Sequence, residues 1–115
     1  MRTKLVVLLA TVALAQTDRG IINGTVADSS GAGVPDARVS ATNTNTNVGF
    51  ATQTTSTGDF TIPQLPVGVY QLRVEKQGFK AAVRSDITVS AGGTVTVNAT
   101  MEVGAVTESI VVAAT

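Results

Sequence analysis

Residues 94–103, with the sequence TVTVNATMEV, alternate strictly between polar and apolar side chains. Because successive side chains of a β-strand point to opposite faces of the sheet, this period of two predicts a strand with one buried face. The apolar members are expected in a core and the polar members in solvent. For this run the expectation is that Val95, Val97 and Met101 are buried and that Thr96 and Thr100 are exposed.

Turn-forming residues divide the rest of the chain into further pieces of strand length. Alternation predicts strands at Ile22 to Val26, Ala37 to Ala41, Val48 to Thr55, Phe60 to Ile62, Tyr70 to Val74, Phe79 to Arg84 and Ile87 to Val89. Pro63 should end regular pairing, because proline has no N–H to donate to a ladder. After Gln16, every window with an apolar stripe at helical spacing is interrupted by glycine or proline.

These pieces indicate one small all-β sandwich of about seven strands. The further residues expected in its core are Val39, Phe60, Tyr70, Leu72 and Val74, with Val48, Phe50 and Thr52 on the inner face of a hairpin strand. Arg38 and Arg73 are expected in solvent. Valine and threonine are the commonest residues of the 115-residue chain, as suits a pleated sheet.

Composition argues against several classes of function. The chain has 0 histidines and 0 cysteines, so it lacks the commonest general base, the commonest zinc ligand and any disulfide. Its formal net charge of +0 gives no electrostatic footprint for nucleic acid. The aspartates lie in turn contexts, where such side chains ordinarily bond the local backbone. We therefore expect no enzyme, no catalytic residue, no metal site, no cofactor and no nucleic-acid partner.

The N-terminus resembles a secretory signal peptide. The basic start Met1 to Lys4 precedes an apolar run, Leu5 to Ala15, which is too short to span a bilayer and closes with small residues. An N-terminal core strand is the alternative. We expect a signal peptide over residues 1–15 and a polar lead over 16–20, so that the product is exported to the periplasm, the outer membrane or the cell surface.

Five segments in order carry a family resemblance: residues 24–31, 34–39, 57–60, 65–70 and 78–80. Together they resemble the carboxypeptidase regulatory-like domain, a prealbumin-like sandwich, over residues 21–103. In such families the module is an accessory domain, for example at the N-terminus of Oar-like TonB-dependent outer-membrane receptors. The resemblance implies a non-enzymatic module that mediates protein contacts. The partner expected from it is TonB or a receptor's plug and barrel.

The tail, residues 104–115, contains Glu108 and Ser109 followed by the apolar residues Ile110, Val111 and Val112. This order resembles the TonB box of outer-membrane receptors. An extended β-branched peptide of this kind can pair with an exposed sheet edge of a partner, so these five residues are the candidate partner-binding site. The alternative is a last edge strand of the sandwich, and the pattern does not separate the two.

Carbohydrate binding by an accessory module is the competing function. Sugar recognition on an exposed face usually relies on aromatic platforms, and the chain has 3 phenylalanines, 1 tyrosine and 0 tryptophans. Phe60 and Tyr70 are expected inside, and Phe79 is expected to plug one end of the sandwich. A shallow exposed site containing Phe50 or Tyr70 would favour glycan binding.

Overall fold

The computed structural model of the protein describes residues 18–105 and 107–112. The predicted signal peptide lies outside these residues. All regular secondary structure in the described part is β-strand, and no helix there is long and apolar enough to cross a membrane. The strands are β1 Arg19–Asp28, β2 Arg38–Asn43, β3 Gly49–Gln53, β4 Asp59–Pro66, β5 Gly68–Glu75, β6 Ala81–Val89, β7 Thr94–Thr96, β8 Ala99–Met101 and β9 Ser109–Val111.

Two sheets pack face to face. The first has the order β4-β1-β7, with β8 also paired to β1, and the second has the order β3-β2-β5-β6-β9. Most neighbours are antiparallel, but β1 runs parallel to β7 and β8, and β6 runs parallel to β9. The predicted all-β sandwich is confirmed, with nine described strands where about seven were expected.

The core lies between the sheets and follows the predicted alternation. Leaving aside Val103 and the hairpin strand at residues 48–55, seven of the eight residues expected in the core are buried: Val39, Phe60, Tyr70, Leu72, Val74, Val97 and Met101. Thr96, Thr100 and Arg38 are exposed, as expected. Val95 and Arg73 are both half-buried, and Arg73 Nε donates to Glu75 Oε2 at 3.0 Å.

The last predicted strand is interrupted, which accounts for part of the larger strand count. Residues 97 and 98 separate β7 from β8, although both strands keep the same register against β1. A Cβ on Gly24 would stand 1.7 Å from the carbonyl oxygen of Val97, so the chain passes there only because glycine has no side chain. The Thr25 N–H then donates to Asn98 Oδ1 at 3.2 Å, and this amide continues the pairing across the gap.

Pro63 does not end its strand, and that prediction was wrong. β4 continues to Pro66, because Pro63 and Gln64 together stand opposite the single residue Ile21 in a bulge. Gln64 adopts φ 61° there, and the ladder resumes at Leu65. A bulge leaves its extra residue out of the ladder, so the missing proline donor is tolerated.

A second bulge joins two predicted strands into one. Ser85 and Asp86 stand opposite Gln71, so the pieces predicted at Phe79 to Arg84 and Ile87 to Val89 form the continuous strand β6. The Asp86 backbone turns through φ 58° at this point. Residues after the bulge return to the inner face, where Ile87 and Val89 are buried.

Two valines expected inside lie outside. Val48 is 51% exposed because β3 begins only at Gly49, after the turn that follows β2. Val103, the last apolar residue of the alternating run, is 79% exposed because β8 has already ended at Met101. In both cases the alternation continues in sequence beyond the residues that are paired into a sheet.

Candidate functional site

The tail returns to the sandwich directly after β8. The Lys80 N–H donates to the carbonyl of Glu102 at 2.7 Å, and the Gly104 N–H donates to the carbonyl of Gly78 at 3.1 Å. Phe79 and Val103 form an isolated bridge between these two bonds. The chain that leaves the core is therefore anchored to the loop before β6, and this loop directs the tail along the β6 edge.

Glu108, the first predicted site residue, closes a turn. Its N–H donates to the carbonyl of Ala105 at 2.9 Å, and its carboxylate oxygen Oε1 accepts the Ala105 N–H at 3.1 Å. Gly104 lies beneath Lys80, and a Cβ there would come within 2.5 Å of Lys80 Cγ. The acidic residue therefore has a structural use in this conformation, besides its place in the box-like motif.

The next residues form β9 on the edge of the second sheet. Ser109, Ile110 and Val111 pair in parallel with Ala81, Ala82 and Val83, in that order. The Ala81 N–H donates to the carbonyl of Glu108, and the Val112 N–H donates to the carbonyl of Val83, both at 2.8 Å. The structure thus brings all five predicted site residues together in one extended segment along β6.

The two faces of this segment differ. Ile110 and Val112 are half-buried and pack against the core cluster, whereas Ser109 and Val111 point outward. Val111 is 85% exposed. An unpaired, poorly packed tail is what a partner-binding strand would show in the isolated chain, and the described conformation is instead a paired edge strand.

Arg84 is a residue of this region that the sequence prediction passed over. It pairs with Leu72 on β5, two residues after Ala82 pairs with Val74, so it lies on the inner face of the sheet. Its Nη1 atom is buried and has no hydrogen-bond partner. Alternation along the predicted strand Phe79 to Arg84 sets Arg84 on the same side as Lys80, so the sequence carries no signal of an inward position.

A second candidate surface surrounds Phe50. A cleft of about 260 Å³ is lined by Asn43, Val48, Phe50, Pro66, Val67 and Tyr70. The Phe50 ring meets the Tyr70 ring edge to face, with 6.4 Å between centroids. Tyr70 is wholly buried and its hydroxyl donates to the carbonyl of Pro66 at 2.6 Å. The accessible surface therefore comes from Phe50, the two half-exposed valines, Pro66 and the exposed Thr46.

Polar recognition in this cleft is limited by the use of Asn43 elsewhere. Asn43 is buried, and its Oδ1 accepts the N–H groups of Asn45 at 2.9 Å and Thr46 at 3.1 Å. The amide oxygen therefore holds the turn between β2 and β3. Sugar hydroxyls would find an apolar wall and few free polar groups here.

Two of the turn aspartates, Asp28 and Asp59, accept hydrogen bonds from nearby protein groups. Asp28 Oδ1 accepts the Ser30 hydroxyl at 2.6 Å and the N–H groups of Ser30 and Ala32. The Ser30 side-chain bond is the main reason that the pKa of Asp28 is lowered. Asp59 accepts the Thr57 hydroxyl at 2.7 Å and the Thr25 hydroxyl at 3.1 Å. Within residues 18–105 and 107–112, no three acidic side chains are grouped to hold a metal ion.

Comparison with known proteins identifies relatives of the whole sandwich. A family model of the carboxypeptidase regulatory-like domain matches residues 21–102. The TonB-dependent transporter Oar of Myxococcus xanthus is 39% identical over 92 residues. That match covers 79% of this chain and 8% of the transporter, so the chain spans only a small part of its relative.

Solved structures with the same fold serve unlike functions. A putative carbohydrate binding protein from Bacteroides uniformis superposes with a TM-score of 0.56 at 18% identity, over 70% of this chain and 40% of that one. Hydroxyquinol 1,2-dioxygenase from Pseudomonas putida superposes with a TM-score of 0.60 at 12% identity, over 80% of this chain and 59% of that one. These likenesses establish the sandwich fold and assign no activity.

Proposed function

The chain belongs to the carboxypeptidase regulatory-like domain family, and on that premise we propose that it is a non-enzymatic, exported module that mediates protein contacts at the outer membrane or cell surface. The observation that carries the proposal is the 39% identity to a TonB-dependent transporter over 92 residues. The residue types support it, since a chain with 0 histidines and 0 cysteines has few groups for acid, base or nucleophilic catalysis.

Within this proposal the chain is the N-terminal extension of a TonB-dependent receptor. A signal peptide over residues 1–15, a polar lead over 16–20, the sandwich over 21–103 and a tail over 104–115 would follow in the order that such an extension needs. The partners would be TonB or the receptor's plug and barrel, in the periplasm or at the outer membrane.

The tail residues Glu108 to Val112 are the proposed contact site. β-Strand addition uses main-chain N–H and C=O groups for affinity and alternate side chains for specificity. The tail is already extended, and Val111 presents its side chain to solvent. Since β9 is the last strand in the order of its sheet, a partner could pair with its outer edge or draw it away from β6.

The test is binding of the purified chain to a TonB C-terminal domain, measured by calorimetry. Val111→Pro should abolish binding, because proline lacks the N–H and its ring disrupts an extended ladder. Val111→Thr is the matched control, since it keeps the N–H and the β-branch, and it should bind like the parent chain. Absence of binding by the parent chain, or equal binding by Val111→Pro, would contradict the proposal.

Carbohydrate binding in the Phe50 cleft is the second candidate, and the observation in its favour is the aromatic ring beside the half-exposed Val48 and Val67. Titration with starch oligosaccharides tests it. Saturable binding that Phe50→Ala removes and Phe79→Ala retains would favour this candidate. We expect no binding, because Tyr70 is buried and the Asn43 amide oxygen is engaged.

A further inference from the structure

The tail covers the edge of β6 and bonds its main chain, but Arg84 Nη1 is left without a hydrogen-bond partner. Ala81 and Ala82 are fully buried in the described conformation, and the carbonyl of Val83 accepts a hydrogen bond from the tail. Without the tail, this edge would present unpaired main-chain groups beside apolar surface. Such an edge is a template for pairing with another extended chain.

The cover is short and lightly packed. β9 pairs over three residues, and of its side chains only Ile110 lies half-buried against the core, joined by Val112 just beyond the strand. Val111 is 85% exposed. Little apolar area therefore holds the tail in place.

The tail offers no hydrogen-bond acceptor to the side chain of Arg84. Extending the register of β9 by one residue past the Val83–Val111 pair sets Val112 opposite Arg84. The Val112 N–H donates to the carbonyl of Val83, which agrees with this register. The valine side chain has no atom that can accept a hydrogen bond from the guanidinium. A buried guanidinium N–H group without a partner costs the desolvation of that group, and a carboxylate is the partner that suits its geometry.

We propose that the β6 edge from Ala81 to Arg84 is an acceptor for an extended strand of a partner protein, and that β9 occupies it as a replaceable placeholder. The strand it fits runs parallel to β6, as β9 does. It carries apolar side chains at the Ile110 position and an aspartate or glutamate at the Val112 position, where the carboxylate would pair with Arg84. This inference concerns the edge beneath the tail and holds whether or not the tail itself binds TonB.

Peptide binding to the full chain tests the proposal. The probes are a hexapeptide with the sequence of residues 107–112, the same peptide carrying Val112→Glu, and the same peptide carrying Val112→Lys. Binding is followed by NMR shifts of the Ala81 and Val83 amides. We expect the glutamate peptide to bind about tenfold more tightly than the valine peptide, as one charge-assisted hydrogen bond predicts, and the lysine peptide to bind more weakly.

Removing the guanidinium must remove this preference. In Arg84→Met the glutamate peptide should bind no more tightly than the valine peptide, because its carboxylate would have no partner. The matched loss of a charge in Arg38→Met, on the exposed face of β2, should leave the preference intact. Arg84→Gln serves in the same role if Arg84→Met does not fold. The proposal would be overturned if the three peptides bound equally or if none of them bound. It would also be overturned if the variant without Arg84 still preferred the glutamate peptide over the valine peptide.

A measurement within the chain checks the same contact without added peptide. Val112→Glu in the full chain should slow hydrogen exchange of the Ala81 N–H, which bonds the tail, by about tenfold through the same bond. The effect should vanish in the double variant with Arg84→Met. Unchanged exchange in Val112→Glu would also count against the proposal, and none of these results depends on TonB binding.

Discussion

Two parallel strand pairs close this sandwich, and they differ in how they are held. β1 pairs in parallel with β7 and β8, on either side of the gap at residues 97 and 98, and β6 pairs in parallel with β9. The segment of β7 and β8 contributes the buried side chains of Val97, Ala99 and Met101 to the core. The tail contributes only the half-buried Ile110 and Val112. Both regions are paired in parallel, so we expect side-chain burial to decide which of the two pairs opens first.

The first pair is also fitted in detail. The Val97 N–H donates to the carbonyl of Asn23 at 2.7 Å, and the Thr96 hydroxyl donates to Asn23 Oδ1 at 2.8 Å. Gly24 lets the crossing strand approach its backbone closely. Beside β9, in contrast, Arg84 Nη1 lacks a hydrogen-bond partner. Exchange of a strand in the first position would lose fully buried core contacts, whereas exchange in the second position would lose only the half-buried contacts of Ile110 and Val112.

The largest expected effect breaks the first pair. Gly24→Val would place side-chain atoms where the Val97 carbonyl lies, since even a Cβ would stand 1.7 Å from its oxygen. We expect loss of the cooperative unfolding transition in urea. Gly49→Ala is the control, because its Cβ would meet nothing closer than 3.7 Å, and it should change stability by less than about 0.5 kcal/mol. A folded Gly24→Val variant of parental stability would contradict the packing described.

Equivalent truncations in the two regions sharpen the comparison. Leu72→Ala removes a side chain that is 1% exposed and should cost about 2 to 5 kcal/mol. Ile110→Ala removes a half-buried side chain of similar size from the tail and should cost less than about 1 kcal/mol. Urea unfolding of both variants measures the difference. Equal costs would mean that the tail is as much a part of the core as β5.

A smaller effect is expected at the gap between β7 and β8. Asn98→Ala removes the acceptor of the Thr25 N–H and should cost about 1 kcal/mol. Asn98→Asp keeps an acceptor oxygen at that position, so it should retain most of the stability that Asn98→Ala loses. Thermal unfolding of the two variants checks this. A cost in Asn98→Asp as large as in Asn98→Ala would show that the amide acts in some other way.

Deleting residues 106–115 should have a small effect on the sandwich, at least as large as that of Ile110→Ala. The loss of free energy of unfolding should stay below about 1 kcal/mol, because the described tail residues bury little apolar surface. Urea unfolding of the deletion variant beside the parent chain is the measurement. A loss above about 2 kcal/mol would make the tail the last structural strand of the sandwich, and the proposed contact site would lose its support.

The strands and their faces could be predicted from the sequence, because polar and apolar side chains alternate along a strand that has one buried face. The interruption at Asn98 could not, since it depends on which residue of β1 lies opposite, and only the fold brings Gly24 there. The bulge at Pro63 was missed for a similar reason, because a proline in a strand either ends it or is left out of the ladder. Both features depend on the neighbouring strand rather than on the local sequence.

The candidate site was predicted only as a segment. The order of Glu108, Ser109 and the following apolar residues identified the tail, but its pairing with β6 required the loop anchored by Gly78 and Gly104. The unpaired Arg84 atom follows from that pairing and from the bulge after it, so it has no signature in the tail sequence. Composition and motif therefore predict which segment is the contact strand. The register of that segment with β6 decides which residues of β6 lie beside it.

Native-state hydrogen exchange tests the difference between the two parallel pairs most directly. The Val97 N–H bonds Asn23 in the first pair, and the Val112 N–H bonds Val83 in the second. We predict that Val97 exchanges only through global unfolding, with an opening free energy that falls with added urea, and that Val112 exchanges through a local opening of much lower free energy that urea barely changes. Equal opening free energies with the same urea dependence at both amides would contradict the account, because the tail would then open only with the sandwich itself.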